Sequence, residues 1–237
     1  MGNLDLLCNA LSGLKIIELS HPFEEHMPAW PTHSKYFHTL WNSYEHGDRA
    51  TTYQIIINEH NGTHIDAPAH FIREGKGHTW IDEMPAATFL AVCRTLDVSF
   101  LPKKGEVTKE HIVDWENKNG AIEKDEAVFF YFGWSKLWNK RPNDTEFSSD
   151  WPGVGRTAAE YLLDKKVKLV GVDTLAADVC NTVDFPCHYT LLGNNIPIIE
   201  NLNNLDKMST RAYFMALPLM IREGSASPVR AVGFVEK

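Results

Sequence analysis

Cysteine is scarce in this chain: there are four in 237 residues, Cys8, Cys93, Cys180 and Cys187. They show neither C-x-x-C spacing nor the density of a disulfide scaffold, which points to a reducing compartment and a cytoplasmic location. Long apolar runs are missing too, and none approaches the roughly eighteen residues that a membrane helix needs. Positive charge is short. Lys and Arg number 23 against 31 Asp and Glu, the formal net charge is -8 and no basic stripe occurs, so a nucleic-acid partner is excluded by the chemistry of phosphate neutralisation. The first residues, M-G-N-L-D-L-L-C-N-A-L, lack a positive n-region and carry Asp5, which makes a poor secretory signal; Leu6 stands where the myristoylation pattern wants Ser or Thr. No internal repeat or low-complexity tract breaks the chain. With 43% hydrophobic residues, it is long enough to bury one sizeable core, and a single domain over 1–237 is expected, with residues 1–14 as an N-terminal extension.

What the chain does have is histidine, concentrated in one place. The stretch H-N-G-T-H-I-D-A-P-A-H-F, from His60 to Phe71, packs three histidines and one aspartate into its first eleven residues. Imidazole nitrogen and carboxylate oxygen are the donors that borderline metals such as zinc, manganese and iron prefer. Asn61, Gly62 and Pro68 work against a continuous helix. That separates the stretch from the helical H-E-x-x-H zinc proteases, whose catalytic glutamate is here replaced by Asn61. Thr51 to Glu59 is β-branched and apolar and reads as a strand running into an irregular loop at His60. Gly62 lets the chain turn tightly, His64 and Asp66 then share one face two residues apart, and His60 folds back to join them. Taken singly, each of these residues has a bland explanation, a surface histidine or an aspartate marking a turn before Ala-Pro. Their clustering argues for a metal site.

The pattern H-x-G-T-H-x-D-x-P-x-H resembles the signature of the cyclase-like metal hydrolases, which include bacterial kynurenine formamidases and isatin hydrolases. His60, Gly62, Thr63, His64, Asp66, Pro68 and His70 fill all seven fixed positions. Phe185 to Leu202, F-P-C-H-Y-T-L-L-G-N-N-I-P-I-I-E-N-L, is similar to the family's second motif, and Ser225 to Val232, S-A-S-P-V-R-A-V, to its closing strand. The resemblance runs from about Glu18 to the end. It implies an α/β single-domain, mixed-sheet β/β/α swivelling fold with flanking helices. It also implies a divalent metal cofactor, Zn2+ or Mn2+, one or two per chain. The ligands would be His60, His64 and Asp66, with His188 and Glu200 binding a second ion and Asp66 bridging both. His70 would be the acid/base outside the ligand shell. The implied substrate is a small aromatic amide, and the implied assembly a homodimer or higher homo-oligomer whose N-terminal loop crosses to its neighbour. In the isatin hydrolase branch the position of Glu200 holds no carboxylate and one manganese suffices, so Glu200 favours the formamidase side.

The chemistry agrees with the donors. A divalent ion acidifies bound water and polarises a carbonyl, which is what amide hydrolysis needs, and an imidazole near its ordinary pKa can move the proton. Two other readings compete. A non-haem iron oxygenase would use His64, Asp66 and His188 as a facial triad, but about ten residues past His188, where a basic partner for an oxoacid is expected, the chain reads I-P-I-I-E, and His60, Gly62 and His70 would have no role. A metal that merely stiffens a binding domain would favour cysteine, and none falls in the first motif. Cys187 beside His188 suggests a Cys-His nucleophile, but adjacent residues point in different directions.

Elsewhere, residues 3–12 read as a short helix and Lys15 to Ser20 as a strand, followed by a loop with Pro22, Pro28 and Pro31 suited to a pocket wall or lid. His21, His26, His33, His38 and His46 lack ligand spacing and are expected to face solvent or line the pocket. Strands are expected at Phe89 to Val98, Ala127 to Phe132 and from Val167. Helices are expected after the N-cap Thr108 up to Gly120, at Thr157 to Lys166, and as a single turn from His188 to Leu192 before the strand ending in Glu200. Residues 135–153 read as a polar surface loop. Trp30, Phe37, Trp80 and Trp134 are candidates for pocket walls, with burial in the core as the default for any aromatic.

Overall fold

The computed structural model describes residues 2–237. Thirteen strands are formed: β1 (Leu14–Glu18), β2 (Phe37–Asn42), β3 (Thr52–Ile56), β4 (His64–Asp66), β5 (Leu90–Asp97), β6 (Glu106–Val107), β7 (Ala127–Tyr131), β8 (Gly153–Val154), β9 (Leu169–Val172), β10 (Ile198–Glu200), β11 (Arg211–Met215), β12 (Ala226–Pro228) and β13 (Val232–Glu236). The helices are α1 (Asn3–Gly13), α2 (Lys109–Asn119), α3 (Arg156–Lys165) and α4 (Pro186–Leu192). Nine strands make one mixed sheet in the order β1-β13-β11-β5-β7-β9-β10-β4-β12. Its centre, β5-β7-β9-β10, is parallel, and the strands to either side are antiparallel.

Parallel neighbours require crossovers, and α2, α3 and α4 supply them between β5, β7, β9 and β10. The helices cover one face of the parallel strands. Val128, Phe130, Val170 and Ile198 join a core with Ile112 of α2, Leu162 of α3 and Leu191 of α4. The alternate residues Ala127, Phe129, Leu169 and Ile199 face a second core built with Phe214, Leu19 and Val235 from the antiparallel part. The apolar run of β7 is thus buried on both faces, as an unbroken apolar strand requires. The architecture is the mixed α/β sheet with flanking helices expected from the sequence, with one core on each face of the parallel strands.

Three local expectations change. The segment 135–153 is anchored, because Phe147 and Trp151, with the preceding Trp134, are buried in the helix-side core and the Trp134 indole donates to the Phe147 carbonyl at 2.9 Å. Its polar composition hid two aromatic anchors. The similarity of Ser225 to Val232 to one closing strand resolves into two strands, β12 beside β4 and β13 beside β1, separated at residues 229–231. The strand read over Thr51 to Glu59 is shorter, and β3 pairs only with β2 in a separate hairpin whose residues are almost all exposed.

Candidate metal centre

β4 sits between β10 and β12, and its pleat divides the motif. Ile65 enters the antiparallel-side core, while His64 and Asp66 both turn to the opposite face and are buried there. The antiparallel register pairs Glu200 with His64, so the last residue of β10 joins the same face. Pro68–His70 forms one 3-10 turn with proline at its start, which carries His70 over the site. α4 lays His188 against it from the helix layer. Gly62 adopts φ +63°, and a side chain there would meet the Phe23 ring at 3.0 Å, so both backbone sign and space call for glycine.

These five donor residues converge. His60 Nδ1 lies 2.8 Å from Asp66 Oδ1, and His64 Nε2 lies 3.3 Å from the same oxygen and 3.5 Å from Glu200 Oε2. His188 Nε2 lies 3.5 Å from Asp66 Oδ2 and 3.2 Å from Glu200 Oε1. The far nitrogens explain the near ones. His64 Nδ1 is 2.8 Å from the Gly62 carbonyl and His188 Nδ1 is 2.5 Å from Asp178 Oδ2. Both partners accept hydrogen bonds, so each ring donates from Nδ1 and turns Nε2 between the two carboxylates. Asp178 in turn accepts from the Cys187 and His188 backbone N–H groups, which fixes it to the start of α4.

Asp66 Oδ1 is buried without a hydrogen bond among the described residues, although His60 Nδ1 is close: the two atoms are not aligned as donor and acceptor. Ring nitrogens and carboxylate oxygens crowding a common point are what a cation can hold together. His60, Asp66 and His70 form one set with ligand atoms within 4.8 Å of one another, and His64, Asp66 and Glu200 a second, with Asp66 common to both. Imidazole and carboxylate donors in overlapping sets fit borderline divalent ions. His70 offers a ring nitrogen within 4.8 Å of the donor atoms of His60 and Asp66.

The electrostatics follow. Burial disfavours charge on Asp66, but the surrounding His60, His70 and His188 outweigh it and hold the carboxyl well below its usual range. Burial likewise opposes a charged His64 or His188, yet Asp66 and Glu200, joined at His188 by Asp178, push both rings upward. The same negative field that draws protons to these rings attracts a divalent cation in their place. His70 goes the other way: burial lowers it to about 4, leaving a neutral ring at pH 7.

Above the donors is a cavity of about 370 Å³ lined by Trp30, His33, Phe71, Phe185 and Tyr189 together with His60, His64, His70, His188 and Glu200. Trp30 comes from the proline-studded loop, which is pinned where the Arg141 guanidinium donates to the Ala29 carbonyl at 2.8 Å. Of the four aromatic candidates, Trp30 alone is in this wall. Trp134 is in the core, Trp80 packs on His78, and Phe37 is exposed on the hairpin. His33 lines the cavity, His26, His38 and His46 are exposed, and His21 is buried against Trp138.

Sequence reasoning missed Asp178 and Asn201. Asn201 donates to the Gly62 carbonyl, and its own carbonyl accepts from the Thr63 hydroxyl, tying the end of β10 to the motif loop. Adjacency to Glu200 was a signal for Asn201. Nothing local marks Asp178, ten residues before His188 on a loop.

The family model described as "Putative cyclase" matches residues 17–179. A kynurenine formamidase of Geobacillus thermodenitrificans is 31% identical over 217 residues, which cover 91% of this chain and 95% of that protein. An isatin hydrolase of Roseibium aggregatum is 31% identical over 201 residues, covering 77% of this chain and 74% of its own. The solved structure of isatin hydrolase A from Labrenzia aggregata, bound to benzyl benzoate, superposes over 100% of both chains with a TM-score of 0.90 at 26% identity. With more than half of its length matched by the family model and most of it aligned with these relatives, the chain belongs to the cyclase family.

Proposed function

We propose that the protein is a metal-dependent hydrolase that opens a formamide or cyclic amide on an aromatic substrate, in the manner of kynurenine formamidase. The observation that carries this reading is Glu200. Its carboxylate faces both His64 and His188 from the strand paired with β4, so that with His60 and Asp66 these residues would offer enough donors for two divalent ions. The ligands are proposed as His60, His64, Asp66, His188 and Glu200, holding Zn2+ or Mn2+. A divalent ion there supplies Lewis acidity and a water acidified towards neutral pH.

The remaining work falls to the chain's own side chains. Trp30, Phe71, Phe185 and Tyr189 wall the cavity and offer faces to an aryl ring. His70, its ring centroid 4.0 Å from that of His60, is neutral at pH 7 and able to accept a proton from attacking water. It then returns that proton to the leaving nitrogen, so that a formyl group departs as acid and an arylamine is released. Asp178, through His188, and the Gly62 carbonyl, through His64, keep the two rings turned between Asp66 and Glu200.

Metal content measured after purification without chelator or nickel resin, with hydrolysis of N-formylkynurenine and of isatin, tests the assignment. Two ions per chain and formamide cleavage are expected. One manganese with isatin opening would move the protein to the lactam branch, which the superposition on isatin hydrolase A keeps as the second reading. A homodimer in the cytoplasm completes the proposal. The four buried or exposed cysteines are all free, and the β2–β3 hairpin exposes Phe37, Trp41, Tyr53, Ile55 and Ile56, an apolar surface suited to a second copy.

A further inference from the structure

His60 is held differently from the other two imidazoles, and the difference leads to residues outside both motifs. His64 and His188 are tethered through Nδ1 and present Nε2. His60 is tethered through Nε2, which lies 3.1 Å from Ser225 Oγ, and it presents Nδ1 to Asp66. The Ser225 hydroxyl has one proton, and it is committed: Oγ donates to Glu59 Oε2 at 2.8 Å, and a carboxylate oxygen only accepts. Towards His60 the serine therefore acts as an acceptor, and the proton of the ring is placed on Nε2. The Ser225 backbone N–H donates to the same Glu59 oxygen at 2.9 Å, and the Ser225 carbonyl accepts from Ala67 N–H at 2.9 Å, so the serine is clamped on both sides of the motif.

The geometry points to Glu59 and Ser225 as positioning residues, a carboxylate–hydroxyl pair that locks His60 in the Nε2–H tautomer and turns its bare Nδ1 to the metal. This rests on the metal-centre reading above. It extends to His60 the outer-partner logic that Asp178 serves at His188, with a serine inserted between carboxylate and ring. The segment before β12 thereby acquires a role at the site, since residue 225, 165 positions from His60, sets the direction of the first donor in the chain.

The test is zinc affinity by chelator competition, together with 15N–1H correlation spectra of the histidine rings, on the full chain. Ser225→Ala removes the hydroxyl but keeps the backbone N–H bond to Glu59. It is expected to weaken zinc binding by about 10- to 100-fold and to populate the Nδ1–H form of His60, while Ser225→Thr, which keeps a hydroxyl, restores both. His60→Ala and His60→Ala/Ser225→Ala should bind zinc equally, because the serine acts only through the ring. Unchanged affinity and tautomer in Ser225→Ala, with His60→Ala still damaging, would overturn the relay while leaving the metal centre standing. A wild-type protein that takes up no zinc, with His60→Ala equally silent, would remove the metal-centre reading and the relay with it.

Discussion

Asp66 and Asp173 are both fully buried aspartates at the ends of core strands, and the chain treats them in opposite ways. Asp173, just after β9, accepts backbone N–H groups from Phe132 at 2.8 Å, Trp134 at 2.9 Å and Ser135 at 3.2 Å. It stitches the end of β7 to that of β9. Neutral amide dipoles do not fully offset the lost hydration, and burial lifts its pKa to about 6. Asp66 is faced by imidazoles instead, and is held far below the usual range despite equal burial. A carboxylate satisfied by backbone amides is committed to the fold. One faced by side chains that can themselves turn to a cation is available for chemistry.

The sharpest way to break this contrast is to remove the charge of Asp66. Asp66→Asn should abolish metal retention and turnover together while leaving the far-UV spectrum intact; stoichiometric metal in the purified variant would defeat the bridging assignment. His70→Ala should keep the metal and lose about 10²- to 10⁴-fold in kcat, the usual worth of a proton-transfer group. An unchanged kcat would take His70 out of the mechanism, and lost metal would make it a ligand. Asp178→Asn should keep the fold and weaken metal affinity about 10- to 100-fold, read by chelator competition, because His188 loses the partner that fixes its tautomer.

On the other side of the comparison, Asp173→Ala should leave metal content untouched and destabilise the chain by about 3 kcal/mol, since several buried N–H groups lose their acceptor. Thermal unfolding of the metal-free protein would register this as a drop of several degrees. The smallest effect is in pH. The folded pKa of Asp173 lies above its ordinary 3.8, so the folded state holds its proton more tightly. Its contribution is complete below about pH 4 and lost as pH rises through about 6. Asp66, depressed, contributes above the ordinary carboxylate range and loses that contribution as pH falls. Asp173→Asn should therefore flatten the stability profile between pH 4 and 6 in metal-free protein; a slope identical to wild type would mean that Asp173 does not titrate there.

Much of the centre was legible because its first part is local. His64 and Asp66 share a strand face by alternation alone, and Gly62 and Pro68 mark where the chain must turn. His188 and Glu200 came through resemblance, and the register of β4 against β10 gives the physical reason for Glu200. Asp178 and Ser225 were not legible, since each finds its histidine only after α4 and β12 have docked. Aromatic residues were the poorest guide. Trp30 and Trp134 look alike in sequence, but one walls the cavity and the other fills the core. The hairpin that takes Phe37 outward has too little of its own core to announce where it goes.

The pairing of Glu200 with His64 has a consequence for assembly. Side chains on a strand alternate faces, so slipping β10 by one residue against β4 would turn Ile199 or Asn201 to the donors and send the carboxylate into the opposite core. Glu200 joins the cluster only when strands far apart in sequence have met in one particular alignment. A bound ion with its full set of ligands would then act as a proofreader of the sheet, favouring the one register in which all of its donors face it.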